Sequence, residues 1–162
     1  VHRCRSAAER SGYSRRGEIK SPLIITEIIN PKCKACSESI TELKRLIGYF
    51  PNIQINLIFF LPNKEDRESV NITCCILALY KKHPLNVLDY LFQMYHNPDF
   101  INSKDVAELS ITEEELNKFK KEINEMNDWC VNEAKIQYTP CLIFGKKYLP
   151  NDYKLEDLKY VL

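Results

Sequence analysis

The sequence predicts an α/β fold laid out as a βαβ unit, an all-helical block and a ββα ending. Three observations carry that prediction. Two short apolar runs rich in β-branched residues, at 23–29 and 53–61, flank a segment whose apolar residues recur at helical spacing. Strand signals then stop across about 65–136, where helical patterns follow one another. They resume at 138–144, ahead of a glycine turn and a last amphipathic stretch.

The elements follow in order. Leu23-Ile24-Ile25-Thr26-Glu27-Ile28-Ile29 has the length and branching of a buried strand, stopped by Asn30-Pro31. From Cys33 to Tyr49, Ile40, Leu43, Leu46 and Ile47 mark one helical face, with Gly48 as the expected terminator. Residues 53–61 form the second strand, closed by Pro62-Asn63. Helices are expected at 69–82 and 86–96, with Val87, Leu88, Leu91, Phe92 and Tyr95 on one face of the latter. Thr112-Glu113-Glu114-Glu115 reads as a capping box opening a third helix to about Ala134. After the strand at 138–144, Gly145-Lys146-Lys147 is a tight turn answered by Tyr148-Leu149. Residues 155–162 close the chain as a helix with Leu155, Leu158 and Val161 inward.

Composition narrows the function. With 162 residues, 44% hydrophobic and 28% charged, the chain suits one folded domain rather than a disordered tail. The run at 55–61 is broken by Asn56 and far too short to span a bilayer, so no direct membrane span is expected. No apolar region follows the first basic residues, so these do not read as a signal peptide. A formal net charge of +1 argues against a strongly basic nucleic-acid binder. That charge is uneven: six cations and two carboxylates at 1–20 leave about +4 there and about −3 in the remainder. Residues 1–21 therefore read as a basic linker or tail, or a vector-derived segment, and 22–162 as the domain.

Seven cysteines stand out, and only Cys33 and Cys36 form a C-x-x-C. The odd number argues against a fully paired disulfide framework. At a strand–helix junction the free N–H groups of the first helical turn aim partial positive charge at Cys33, and Lys32 and Lys34 stand beside it. Such a setting favours the thiolate, the attacking species in thiol–disulfide exchange. Cys36, one turn on, is placed to resolve the mixed disulfide. Two alternatives stay open at this point. A zinc site needs a second ligand pair, which adjacent Cys74-Cys75, isolated Cys130 and Cys141, and widely spaced His83 and His96 do not supply. A purely structural bridge would close too small a loop to stabilise much.

From Ser21 onward the chain resembles the thioredoxin superfamily. A strand runs into Pro31-Lys32-Cys33-Lys34-Ala35-Cys36 at a helix start; Glu27 lies six residues before Cys33; Thr139-Pro140 opens a late strand; and the Gly145 turn precedes a terminal amphipathic helix. The block at about 65–136 is similar to the helical insertion of the DsbA-like branch. Trp129-Cys130, Ile136, Tyr138-Thr139-Pro140, Gly145, Leu149-Pro150, Tyr153 and Glu156-Asp157-Leu158-Lys159-Tyr160 resemble one group more closely. These are thioredoxin-like domains fused to vitamin K epoxide reductase-type membrane proteins in Bacteroidetes-like bacteria.

The resemblance implies a thioredoxin fold and protein-disulfide oxidoreductase activity on protein thiols and disulfides, with no cofactor and no metal. It implies Cys33 as nucleophile, Cys36 as resolver, Glu27 as proton relay, and a cis Pro140 that with Thr139 holds substrate beside Lys34 and Ala35. It implies a quinone-linked membrane oxidase as partner and work outside the cytoplasm, within a larger membrane-anchored protein; a cytoplasmic protein is the alternative. Two positions depart from the family pattern. Lys32 replaces the aromatic residue before the first cysteine, and Lys34-Ala35 is neither Gly-Pro nor Pro-His. That dipeptide tunes the reduction potential, so the direction of electron flow stays open.

The remaining residues have plainer readings. Cys141 and one or both of Cys74 and Cys75 are expected to fill the core, and Cys130 to be an inert buried thiol rather than a third redox group. Trp129, Tyr90, Phe92 and Tyr95 either line a groove beside the dithiol or pack inward. His83 and His96, near helix C-termini, receive no catalytic role. The rival from another class is a redox-silent binding module that uses the groove alone.

Overall fold

Residues 23–29 include five β-branched side chains, which suit a strand covered on both faces, and they take the centre of the sheet. The computed structural model describes residues 2–4, 23–50, 53–63, 65–145 and 147–148. In chain order these form β1 (His2–Cys4), β2 (Leu23–Ile29), α1 (Lys34–Tyr49), β3 (Ile53–Phe59), α2 (Arg67–Lys82), α3 (Val87–His96), α4 (Lys104–Ala107), α5 (Glu113–Asn132), β4 (Cys141–Phe144) and β5 (Lys147–Tyr148). The sheet order is β1-β3-β2-β4-β5. Parallel pairing sets Ile25 opposite Ile55 and Glu27 opposite Leu57. On the other side, antiparallel β4 sets Leu142 opposite Glu27 and Cys141 opposite Ile28. The layout is the mixed α/β thioredoxin fold with a helical insertion between β3 and β4.

Three local expectations are corrected. Within the basic stretch that reads as a linker or tail, His2–Cys4 pair antiparallel with β3, His2 opposite Leu57. Backbone pairing at an open sheet edge needs free N–H and C=O groups rather than apolar periodicity, so the side-chain pattern gave no sign of it. Helix α1 runs through Gly48 to Tyr49, and the Phe50 amide closes it on the Leu46 carbonyl at 3.0 Å. Strand β4 begins at Cys141 rather than Tyr138, since Pro140 has no N–H to give a ladder. A 3-10 turn at Phe100–Asn102 and the short α4 fill a stretch whose residues show no helical period. The terminal helix expected at 155–162 lies outside the described residues, as do most of the leader and the linear motif at 149–160.

Elsewhere local chemistry sets the boundaries. Asp66 caps α2 by accepting the Ser69 amide at 3.3 Å and the Ser69 hydroxyl at 2.8 Å. Thr112 and Glu115 form the capping box of α5. Gly145 turns the hairpin at φ 60°, a conformation glycine adopts without a Cβ clash. The core joins Ile25, Ile28 and Ile29 of β2 to Ile40 and Leu43 of α1, Ile55 of β3 and Leu91 of α3. Helix α5 is tied to β3 and its exit: the Phe59 amide reaches Met126 Sδ at 3.5 Å, and the Leu61 amide donates to Asn127 Oδ1 at 2.8 Å.

Candidate active site at the β2–α1 junction

The chain leaves β2 at Asn30, and the Asn30 side chain fixes the turn that follows. Its Oδ1 accepts the Lys32 amide at 2.8 Å, while its Nδ2 donates to the Phe60 carbonyl at 3.0 Å. Cys33 then becomes the N-cap of α1, with extended backbone (φ −87°, ψ 113°). Its Sγ accepts the Cys36 amide at 3.2 Å, so the sulfur sits on the positive end of the helix. As a thiol it donates to the Thr139 carbonyl at 3.4 Å, 106 residues away in sequence. The Thr139–Pro140 peptide bond is cis. Cys33, Cys36, Thr139 and Pro140 are thus brought to one place from opposite halves of the chain.

The two cysteines differ in surroundings. Cys33 is partly exposed, whereas Cys36 is fully buried. Desolvation, with the Cys33 side chain beside it, pushes the Cys36 thiol up to about 12. Lys34 and Ala35 lie exposed on the first turn of α1, on the solvent side of the dithiol.

Lys32 does not serve the sulfur as expected. Its ammonium is turned to the start of α2, 2.9 Å from Asp66 and 2.7 Å from Glu68. The carboxylates raise the Lys32 pKa, and Lys32 together with Ser69 holds Asp66 down near 2. Its positive charge is therefore spent on two carboxylates that only the fold brings near.

Glu27 shares its face of β2 with Ile25 and Ile29, and it is fully buried in the middle of the sheet. Neither carboxyl oxygen has a hydrogen-bond partner among the described residues. Burial pushes its pKa up to about 7, with the nearby Ser39 side chain pulling it down and the Glu42 charge adding to the rise. No hydrogen bond joins Glu27 to Cys36. The group that feels both is Tyr95 of α3, whose hydroxyl donates to the Asn30 carbonyl at 2.7 Å. Burial, then the charges of Cys36 and Glu27, drive the Tyr95 pKa upward, so it stands as a neutral phenol.

Helix α3 is clamped to α1 just past the dithiol. Lys44 pairs with Asp89 at 2.7 Å and lies 4.6 Å over the Phe92 ring. His96 stacks on Phe92, donates Nδ1–H to its carbonyl at 2.8 Å, and leaves Nε2 3.3 Å from the Ser37 hydroxyl. Sequence spacing marked Tyr95 only as apolar-face or groove; nothing local to it signals a contact 65 residues away. Cys74, Cys75, Cys130 and Cys141 are buried or half-buried free thiols. Burial raises the pKa of Cys74 and Cys130 to about 11 each, which opposes thiolate formation. Among the described residues no three His, Cys, Asp or Glu side chains cluster as metal ligands would, and no helix is long and apolar enough to cross a membrane.

No protein-family model matches the sequence, and no curated protein matches it either. Solved structures do. The chain is similar to the catalytic domain of Proteus mirabilis ScsC at TM-score 0.68 and 18% identity, covering 90% of this chain and 84% of that one. It is similar to a periplasmic thioredoxin-like protein from Salmonella enterica serovar Typhimurium at TM-score 0.65 and 19% identity, covering 90% and 84%. The thiol-disulfide exchange protein α-DsbA2 from Wolbachia pipientis matches at TM-score 0.65 and 19% identity, covering 90% and 82%.

Proposed function

We propose that this chain is a thiol–disulfide oxidoreductase acting on protein thiols and disulfides through Cys33 and Cys36. The observation that carries the reading is the placement of Cys33 Sγ: at the N-cap of α1, 3.2 Å from the Cys36 amide and 3.4 Å from the carbonyl that precedes cis Pro140. A sulfur so placed accepts from a free amide of the first helical turn and stands partly exposed beside the backbone that leads into β4, where an extended peptide could lie. The description of the Wolbachia neighbour as a thiol-disulfide exchange protein supports it.

In the reducing direction, the Cys33 thiolate attacks a substrate disulfide and forms a mixed disulfide. One substrate sulfur leaves as thiolate. Cys36 then attacks Cys33 Sγ, its proton carried by a bridging water to the Glu27 carboxylate, and the second substrate sulfur departs. Two electrons move from the dithiol to the substrate, and the Cys33–Cys36 disulfide remains. The oxidising direction is the reverse. Glu27, with a pKa near 7, is divided between both protonation states at neutral pH, as a group that takes and returns one proton should be. Thr139 offers its backbone to substrate by strand addition beside Pro140, and Lys34 with Ala35 faces the incoming chain.

The finer proposal is that the physiological partner is a quinone-linked, vitamin K epoxide reductase-like membrane oxidase and that the domain works outside the cytoplasm. The likeness of residues 129–160 to the fused domains supports the partner, and the periplasmic Salmonella neighbour supports the location.

Equilibration with glutathione buffers, read by thiol alkylation and mass spectrometry, tests the activity. A reversible Cys33–Cys36 couple at about −120 to −180 mV is the outcome for an oxidase or isomerase, and about −270 mV for a reductase. A pair that never forms a reversible disulfide overturns the reading in favour of a binding module. Cys36→Ser should also trap substrates as mixed disulfides on Cys33.

A further inference from the structure

Beyond the dithiol, a cleft of about 500 Å³ opens between α2 and α5 where the chain leaves β3. The volume suits a small molecule. Its wall is apolar at Leu61, Val70 and Ile123, while its charged groups are both cations, Arg67 and Lys120. Neither forms an ion pair among the described residues, unlike Lys32, Lys44 and Lys81, which are all paired. Among the described residues no carboxylate lines the cleft.

Asn127 adds an independent observation. It lines the cleft yet is only 2% exposed. Its Oδ1 is committed to the Leu61 amide at 2.8 Å, which settles which end of the carboxamide is which. The Nδ2 donor is buried and finds no partner among the described residues. Buried donors are almost always paired, so an orphan donor on a residue that lines a cationic cleft points to an anionic acceptor as its partner. A single buried donor with cations at the mouth matches a carboxylate. A phosphate, with more oxygens to satisfy, would be poorly served by the apolar wall.

We propose that this cleft binds a small organic carboxylate, its oxygens held by Asn127 Nδ2, Arg67 and Lys120, and its hydrocarbon body laid against Leu61, Val70 and Ile123. The site is separate from the dithiol but linked to it through one ion pair: Arg67 follows Asp66, the partner of Lys32 beside Cys33.

Octanoate is the probe, titrated into the full chain and followed by ¹H–¹⁵N NMR, with octan-1-ol and inorganic phosphate as separate arms. Saturable shifts are expected at the Asn127 side-chain amide and the Leu61 and Ile123 backbone amides. Octanol and phosphate should each bind at least about tenfold more weakly, and the Arg67→Gln/Lys120→Gln variant should weaken octanoate by about tenfold or more. Both substituted side chains are exposed, so the variant retains the fold. Octanoate should bind Cys33→Ser/Cys36→Ser equally well, which separates this inference from the redox reading. Absent saturation, equal binding of octanol, equal or tighter binding of phosphate, or indifference to the double variant would each overturn it.

Discussion

Replacing Glu27 by Gln offers a direct measure of what its burial does. The carboxyl is fully buried without a hydrogen-bond partner, and its pKa rises from 4.5 to about 7. Between those values the native state holds a proton that the unfolded chain has released. Stability therefore falls as pH rises through this window and levels off above 7. At about 1.4 kcal/mol per pH unit, the rise from 4.5 to about 7 corresponds to a loss of about 3 kcal/mol. Glu27→Gln cannot ionise and is close to isosteric, so it lacks that loss. Urea unfolding of the reduced protein and the variant, run from pH 4 to pH 8, reads the difference. The variant should gain about 3 kcal/mol on wild type across the series, with the gain complete near pH 8. The absolute offset between the two proteins does not matter, because only its pH dependence belongs to the proton. A difference that stays flat to within about 0.5 kcal/mol from pH 4 to pH 8 would refute the reasoning and show that Glu27 ionises in the fold as it does in water.

Tyr95→Phe deletes the 2.7 Å hydrogen bond to the Asn30 carbonyl and should cost about 1 kcal/mol in urea unfolding; no change in midpoint would mean that the bond contributes nothing to holding α3 at the site. Thr112→Ala removes half of the α5 capping box, for an expected loss of about 1 kcal/mol and a fall of a few degrees in Tm. The Asp66 carboxyl should titrate near pH 2 by ¹³C NMR and move back toward 3.8 in Lys32→Met, whereas an unmoved midpoint in the variant would sink the pairing of Lys32 with Asp66.

Much of this molecule was legible one segment at a time. The run Leu23–Ile29 is strand β2 to the residue, because branched apolar side chains on both faces suit only a strand covered on both sides. Thr112 and Glu115 announced the start of α5, since a cap involves groups only three residues apart. Cys33 and Cys36 share the first turn of α1 for the same reason. Such features depend on neighbours within a few positions along the chain.

What tertiary structure decided was the surroundings of those groups. Lys32 read as a cation beside a thiol, but Asp66 and Glu68, more than thirty residues on, hold its charge. Tyr95 read as an apolar-face or groove residue, and the fold brings its hydroxyl from an inserted helix onto the Asn30 carbonyl. Glu27 could have been a solvated carboxylate; its place on the central strand, covered on both sides, makes it a buried acid with a raised pKa. The orphan amide of Asn127 exists only because β3 leads into Leu61 against the face of α5. Local periodicity sets which backbone hydrogen bonds form within a segment, whereas desolvation and charge pairing act through space and depend on which distant segment the fold places alongside.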